Sequence, residues 1–171
     1  MSLHPVEPAS LFAPLAAAMG AQNALLTAGS LQHCNTMTIG WCQLGRLWNR
    51  PVCSVFVRPE RFTYQFMEEN DCFSLSVLPP DYKDAMALCG SKSGRDLDKI
   101  KAAGLSLLPG PAPYFAEADF VLICRKLFAQ DLSPQAVLPA GEDAILPFYS
   151  PQAGNWHKVY CGEMIAAYSA L

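Results

Sequence analysis

The sequence predicts a mainly β protein with flanking helices, built as a barrel with helical decoration. Three observations carry that expectation. Short segments rich in β-branched and aromatic residues recur, most clearly at 52–58 (Val-Cys-Ser-Val-Phe-Val-Arg) and 72–78 (Cys-Phe-Ser-Leu-Ser-Val-Leu). Helical stretches are few and do not alternate regularly with strands, which argues against parallel βαβ units. No Gly-x-Gly-x-x-Gly follows a strand, so any dinucleotide that binds does so without a Rossmann domain.

Taken in order, residues 1–20 are rich in Pro and Ala and read as an N-terminal arm or short helix. Residues 23–30 read as a strand closed by a Gly-Ser turn, and 35–44 as its partner. Asn49-Arg50-Pro51 marks a turn before the strand at 52–58, which Pro59 stops. Within 60–69, Phe62, Phe66 and Met67 fall at helical spacing and give one apolar face, and Asn70-Asp71 ends that helix. The alternating 72–78 strand is stopped by Pro79-Pro80. Helices are expected at about 82–89 and 96–103, with Gly104 as a stop. The second half reads as a long strand at 117–129, a Pro- and Gly-bearing loop at 131–143, and final strands at 144–149 and 157–168. Gly162 predicts a bulge or a close backbone approach. No repeat or linker divides the chain, so residues 1–171 are expected to form a single domain.

Composition narrows the function classes. Hydrophobic residues make up 51% and charged residues only 16%, which argues against disorder and suits extensive burial, part of it in a dimer. The net charge is −3 and no Lys/Arg run stands out, so no nucleic-acid footprint is expected. Seven cysteines are spread without a Cys-x-x-Cys pair. Metal and redox-dithiol sites need close spacing, and a disulfide framework needs an even set, so buried free thiols in a reducing cytoplasm are expected. No segment reaches the roughly 18 apolar residues of a membrane span. Residues 9–19 are apolar, but Pro14 interrupts them and no basic residue precedes them, so they read as a packing segment. No His-Glu-x-x-His pair or P-loop occurs.

Three segments carry chemistry. Ser93-Gly94-Arg95-Asp96-Leu97-Asp98-Lys99 places a hydroxyl, a glycine, an arginine and a lysine where a helix is expected to begin. Unpaired N–H groups at a helix start hold anions, and the Arg95 fork suits phosphate oxygens. The same residues fit a capping box with Ser93 as cap and Asp96 three positions on. Asn35-Thr36-Met37-Thr38-Ile39-Gly40-Trp41 reads as a strand edge rich in small polar groups. Arg58-Pro59-Glu60-Arg61-Phe62-Thr63 follows the next strand.

In their order and spacing, from about residue 23 to about residue 168, these segments resemble the flavin reductase-like family, FMN-binding split-barrel proteins that include flavoredoxin. The resemblance implies an FMN-binding split β-barrel. It implies that Ser93, Gly94, Arg95 and Lys99 hold the phosphate, with Arg61 and Thr63 as phosphate or ribityl contacts. Asn35, Met37, Thr38 and Ile39 would lie along the flavin ring, where backbone groups read its polar edge. Arg58 would stabilise negative charge on the reduced ring, a task that oriented backbone amides can also perform. NADH or NADPH would act as a transient hydride donor, with a flavin or a redox protein as acceptor. An electron carrier or flavin-storage protein without reductase activity is the alternative. A homodimer is implied, with no metal and no catalytic side chain beyond the flavin. His157 is a candidate for the substrate pocket or a loop residue, and Met37 and Trp41 are expected in the barrel core.

Overall fold

The computed structural model describes residues 2–149 and 155–170. Its strands are β1 (His4–Val6), β2 (Ala24–Gly29), β3 (Cys34–Ile39), β4 (Cys42–Leu47), β5 (Arg50–Val57), β6 (Cys72–Val77), β7 (Leu107–Leu108), β8 (Tyr114–Phe115), β9 (Phe120–Asp131) and β10 (Lys158–Ser169). The helices are α1 (Phe12–Ala21), α2 (Phe62–Glu69), α3 (Lys83–Ser91), α4 (Lys99–Ala102) and α5 (Glu142–Ile145). One antiparallel sheet runs β3-β2-β6-β9-β10-β5-β4, with β1 added beside β10 and β7-β8 forming a small separate ribbon.

This order forces the sheet to curl. β3 and β4 stand at its two ends, yet only Gly40 and Trp41 join them. Three residue steps span about 10 Å at most. Laid flat, seven strands would hold their outer members about 29 Å apart. The ends therefore meet without pairing, and Gly40-Trp41 steps across the open seam. The result is a split barrel with flanking helices, the class the sequence predicts.

Alternation sorts the side chains into two cores. Leu26, Val55, Phe73, Leu75 and Tyr160 fill one with Phe66 and Met67 of α2 and Leu15 of α1. Leu25, Val121 and Ile123 build the other with Met86 and Cys89 of α3 and Phe115 of β8. β2 is covered on both faces, so all six of its residues are buried, Thr27 among them. At Gly162 both readings hold. The register shifts between Cys161 and Gly162, and an added Cβ would lie 2.8 Å from Cys124 Cβ and 2.8 Å from Phe73 Cε1. All seven cysteines are free, four of them buried. No helix of the described residues is long and apolar enough to cross a membrane.

Several local expectations need correction. The 35–44 strand is two strands, because Gly40-Trp41 crosses the seam. The turn lies at Trp48 and Asn49, both with positive φ, and Arg50 and Pro51 already pair with Leu47 and Arg46. Two left-handed residues match the twist of a two-residue hairpin. Helix α4 starts at Lys99, not 96, because Asp98 caps it by accepting from the Lys101 N–H at 3.1 Å. Ser93 does not form the capping box; its Oγ accepts from the Arg95 N–H at 3.2 Å within a turn. The short β7-β8 ribbon carried no long alternating pattern. Residues 144–149 are not a strand: α5 passes into a 3₁₀ turn over Leu146–Phe148. Pro147 lacks the N–H a strand ladder needs, and Glu142 and Asp143 favour a helix start.

Candidate functional site

The seam opens into two adjoining cavities that share Met37 and Arg61. The first, about 170 Å³, is lined by Arg61 and Phe62 at the start of α2, the 92–95 turn, and Lys99. The second, about 220 Å³, follows β3 through Thr38 and Ile39 to Trp41, and is closed by Arg58 and His157. Met37, Arg61, Ser93, Gly94, Arg95 and Lys99 thus line one end of a continuous groove. Thr38, Ile39, Arg58 and His157 line the other.

Asn35 and Thr63 stand behind the wall between these segments. Both are buried, and Asn35 Nδ2 donates to Thr63 Oγ1 at 2.7 Å and to the Thr36 carbonyl at 3.2 Å. This clip ties β3 to α2. Gly94 closes against it: an added Cβ would overlap Asn35 Oδ1 and lie 2.9 Å from Phe62 Cδ1. Only glycine lets the 92–95 turn approach β3 so closely. Thr38 is likewise engaged, donating from Oγ1 to the Met86 carbonyl of α3 at 2.6 Å. Its backbone and the β3 edge remain along the groove.

The end beside the 92–95 turn is strongly cationic. Lys99 is only 5% exposed, and its amine donates to the Cys89 carbonyl at 3.0 Å. Burial lowers its pKa, and Arg61 adds repulsion. Arg95 lies over the Phe62 ring at 4.8 Å and donates to the Glu60 carbonyl at 3.4 Å. The ion pairs among the described residues are Arg50–Glu163, Arg125–Glu163 and Lys158–Glu68. None neutralises Arg58, Arg61, Arg95 or Lys99. A buried ammonium with a backbone carbonyl but no carboxylate is costly, and an anion between these groups would offset that cost.

The far end is aromatic. Tyr149 and Trp156 stack at 3.9 Å, Trp41 packs on His157 at 4.8 Å, and Phe148 meets the edge of Trp41 at 5.2 Å. The Tyr149 hydroxyl lies 2.8 Å from His157 Nδ1. Arg58 donates to the Phe148 carbonyl at 2.8 Å and sits over Tyr149 at 5.5 Å. Burial, with Arg58 and Arg61 adding repulsion, lowers the His157 pKa to about 4, so the ring is neutral at pH 7. Trp41 is 40% exposed, not in the barrel core, whereas Met37, half-buried between the cavities, packs against that core as expected. Sequence reasoning missed Phe148, Tyr149 and Trp156. The cluster of aromatics beside His157 was the available signal, masked by reading 144–149 as a strand.

Residues 16–167 match the model of the flavin reductase like domain. The chain belongs to that family. An uncharacterised protein of Aeropyrum pernix is 30% identical over 123 residues, which cover 70% of this chain and only 38% of that protein. An FMN-binding domain of a flavin reductases-like enzyme from Shewanella baltica superposes with a TM-score of 0.70 at 19% identity, over 98% of this chain and 76% of that one. Flavoredoxin from Methanosarcina acetivorans gives 0.64 at 24% identity, over 86% and 68%. An NADH:FAD oxidoreductase from Streptomyces globisporus, in complex with NAD and FAD fragments, gives 0.62 at 18% identity, over 86% and 74%. These structures share the fold.

Proposed function

We propose that this flavin reductase-like protein is an FMN-dependent oxidoreductase that takes a hydride from NADH or NADPH and delivers electrons to a flavin or a redox protein. The observation that carries the reading is the buried, carboxylate-free Lys99 beside Arg61 and Arg95, at one end of a groove that continues along the β3 edge. That donor set fits a phosphate monoester, and the groove beyond it fits a flat, apolar-faced ring.

FMN, when bound, supplies the ring that accepts the hydride and releases electrons. The chain's residues bind and orient it. Arg61, Arg95 and Lys99 balance the phosphate charge, helped by the Ser93 hydroxyl and the close backbone at Gly94. Asn35 and Thr63 hold β3 and α2 at the spacing the groove needs. Met37, Thr38 and Ile39 present strand backbone to the ring's polar edge. Arg58 places positive charge at the far end, where negative charge on a reduced ring is stabilised. His157 enters this end neutral and fixed by Tyr149, so it contributes a hydrogen bond without charge.

A homodimer is part of this reading, supported by exposed Trp41 and Phe148 at the groove's far end. Seven free thiols support a reducing, cytoplasmic setting. The test is anaerobic stopped-flow mixing of FMN-loaded protein with NADH and with NADPH. Rapid bleaching of the bound flavin by either supports the reductase. FMN binding with no bleaching leaves an electron carrier or flavin store.

A further inference from the structure

A separate cavity of about 550 Å³ opens between the end of α1, the start of α3 and the Pro79-Pro80 turn. It shares Thr38 with the aromatic end of the groove and Gly90 with its cationic end. These two residues form the wall between the spaces, and the wall is tight. The Thr38 hydroxyl donates to the Met86 carbonyl, and a Cβ on Gly90 would lie 3.2 Å from Thr38 Cβ. The flavin reading leaves this space unused. We propose that it binds a small apolar carboxylic acid that carries a hydroxyl group, alongside the flavin and not in its place.

Three features select that ligand. The floor is apolar. Leu78 and Met86 belong to the second core, and Pro79 and Pro80 add rigid apolar faces, in a volume within the roughly 300–1,000 Å³ range of small-molecule sites. An orphaned acceptor comes second. Gln22 ends α1 and lines the cavity, and its Oε1 is buried with no hydrogen-bond partner among the described residues. A buried amide oxygen in that state is costly. A small turn of the amide towards the cavity, met by a hydroxyl that donates to Oε1, removes the cost. Charge comes third. Lys83, the first residue of α3, lines the cavity, is exposed, and pairs with no carboxylate among the described residues. Its acidic neighbours in sequence, Asp81 and Asp84, are exposed and line none of the cavity. A carboxylate at the mouth therefore meets a cation. The apolar body between the two polar groups is a ring or a chain, which the test separates.

Calorimetric titration of the full chain, with and without FMN, tests this. The probes are 4-hydroxybenzoate for a ring and 8-hydroxyoctanoate for a chain, each beside its hydroxyl-free partner, benzoate or octanoate. At least one hydroxy acid is expected to bind with a Kd of about 1 mM or tighter, unchanged by FMN within about twofold. Its hydroxyl-free partner should bind about fivefold or more weakly, and Gln22→Leu should erase that difference. Lys83→Glu reverses the charge and Ala87→Trp fills the cavity, both at exposed positions outside the groove. Each should weaken the hydroxy acid by about tenfold or more while FMN affinity stays within about twofold. If Ala87→Trp fails to fold, Lys83→Glu decides. No binding of either hydroxy acid at about 5 mM overturns the inference, as does binding that neither variant weakens or that ignores the hydroxyl. Competition with FMN also overturns it, by placing the acid in the groove, and leaves the flavin reading standing. Failure of FMN itself to bind sinks the flavin reading alone, since the acids are also titrated into the FMN-free chain.

Discussion

Replacing Gly94 by alanine tests how the phosphate turn is held against β3. The new methyl would overlap Asn35 Oδ1 and lie 2.9 Å from Phe62 Cδ1. Asn35 cannot swing aside freely, because it is 6% exposed and its amide donates to Thr63 and to the Thr36 carbonyl. Overpacking of this kind costs about 1–3 kcal/mol. Displacing Asn35 from its two bonds adds about 1–2 kcal/mol. Gly94→Ala is therefore expected to lose about 2–5 kcal/mol, or to relieve the overlap by lifting the turn and weakening FMN. Asn35→Ala alone loses about 2 kcal/mol through the same bonds. The double variant removes the obstacle, so its loss falls short of the sum by about 1–2 kcal/mol. Urea unfolding of the four proteins measures the cycle, with FMN titration alongside. Additive losses would refute the claim that this glycine exists to meet Asn35.

Other perturbations separate charge from packing. Arg95→Ala removes one charged phosphate donor and is expected to weaken FMN by about 1.5–3 kcal/mol in a fluorescence titration. Lys99→Met keeps most of the volume but removes an unpaired buried charge. Unliganded stability should hold or rise by about 1 kcal/mol while FMN affinity falls about tenfold or more, read by thermal unfolding with and without FMN. His157 gives a pH signature. Its folded pKa of about 4 lies below the ordinary 6.5, so between these values the unfolded chain binds a proton that the folded chain refuses. Stability therefore falls as pH drops from 6.5 towards 4, by about 2 kcal/mol for this half-buried ring. His157→Gln should flatten that part of the unfolding-versus-pH curve.

The strands with regular alternation were legible because burial on one or two faces dictates which residues occupy them. β5, β6 and β10 fall within two residues of the expected positions. The crossing at Gly40-Trp41 was not legible, since nothing local says that neighbours in sequence become opposite edges of a sheet. That is a consequence of the whole strand order. Lys99 was readable as a cation but not as a buried one. Its burial comes from α4 packing against α3, where its amine meets the Cys89 carbonyl, and only that makes the missing carboxylate meaningful. The aromatic end escaped because Phe148 and Tyr149 look like strand residues one by one. Pro147 and the acidic start at Glu142 set the local conformation instead.

The central claim is that the cations around Gly94 exist for a phosphate attached to a flavin. Calorimetric titration of the purified protein with FMN and with riboflavin, which lacks that phosphate, tests it most directly. The account predicts FMN binding with riboflavin weaker by about 100-fold. Equal affinity for the two, or no binding of FMN, would contradict it.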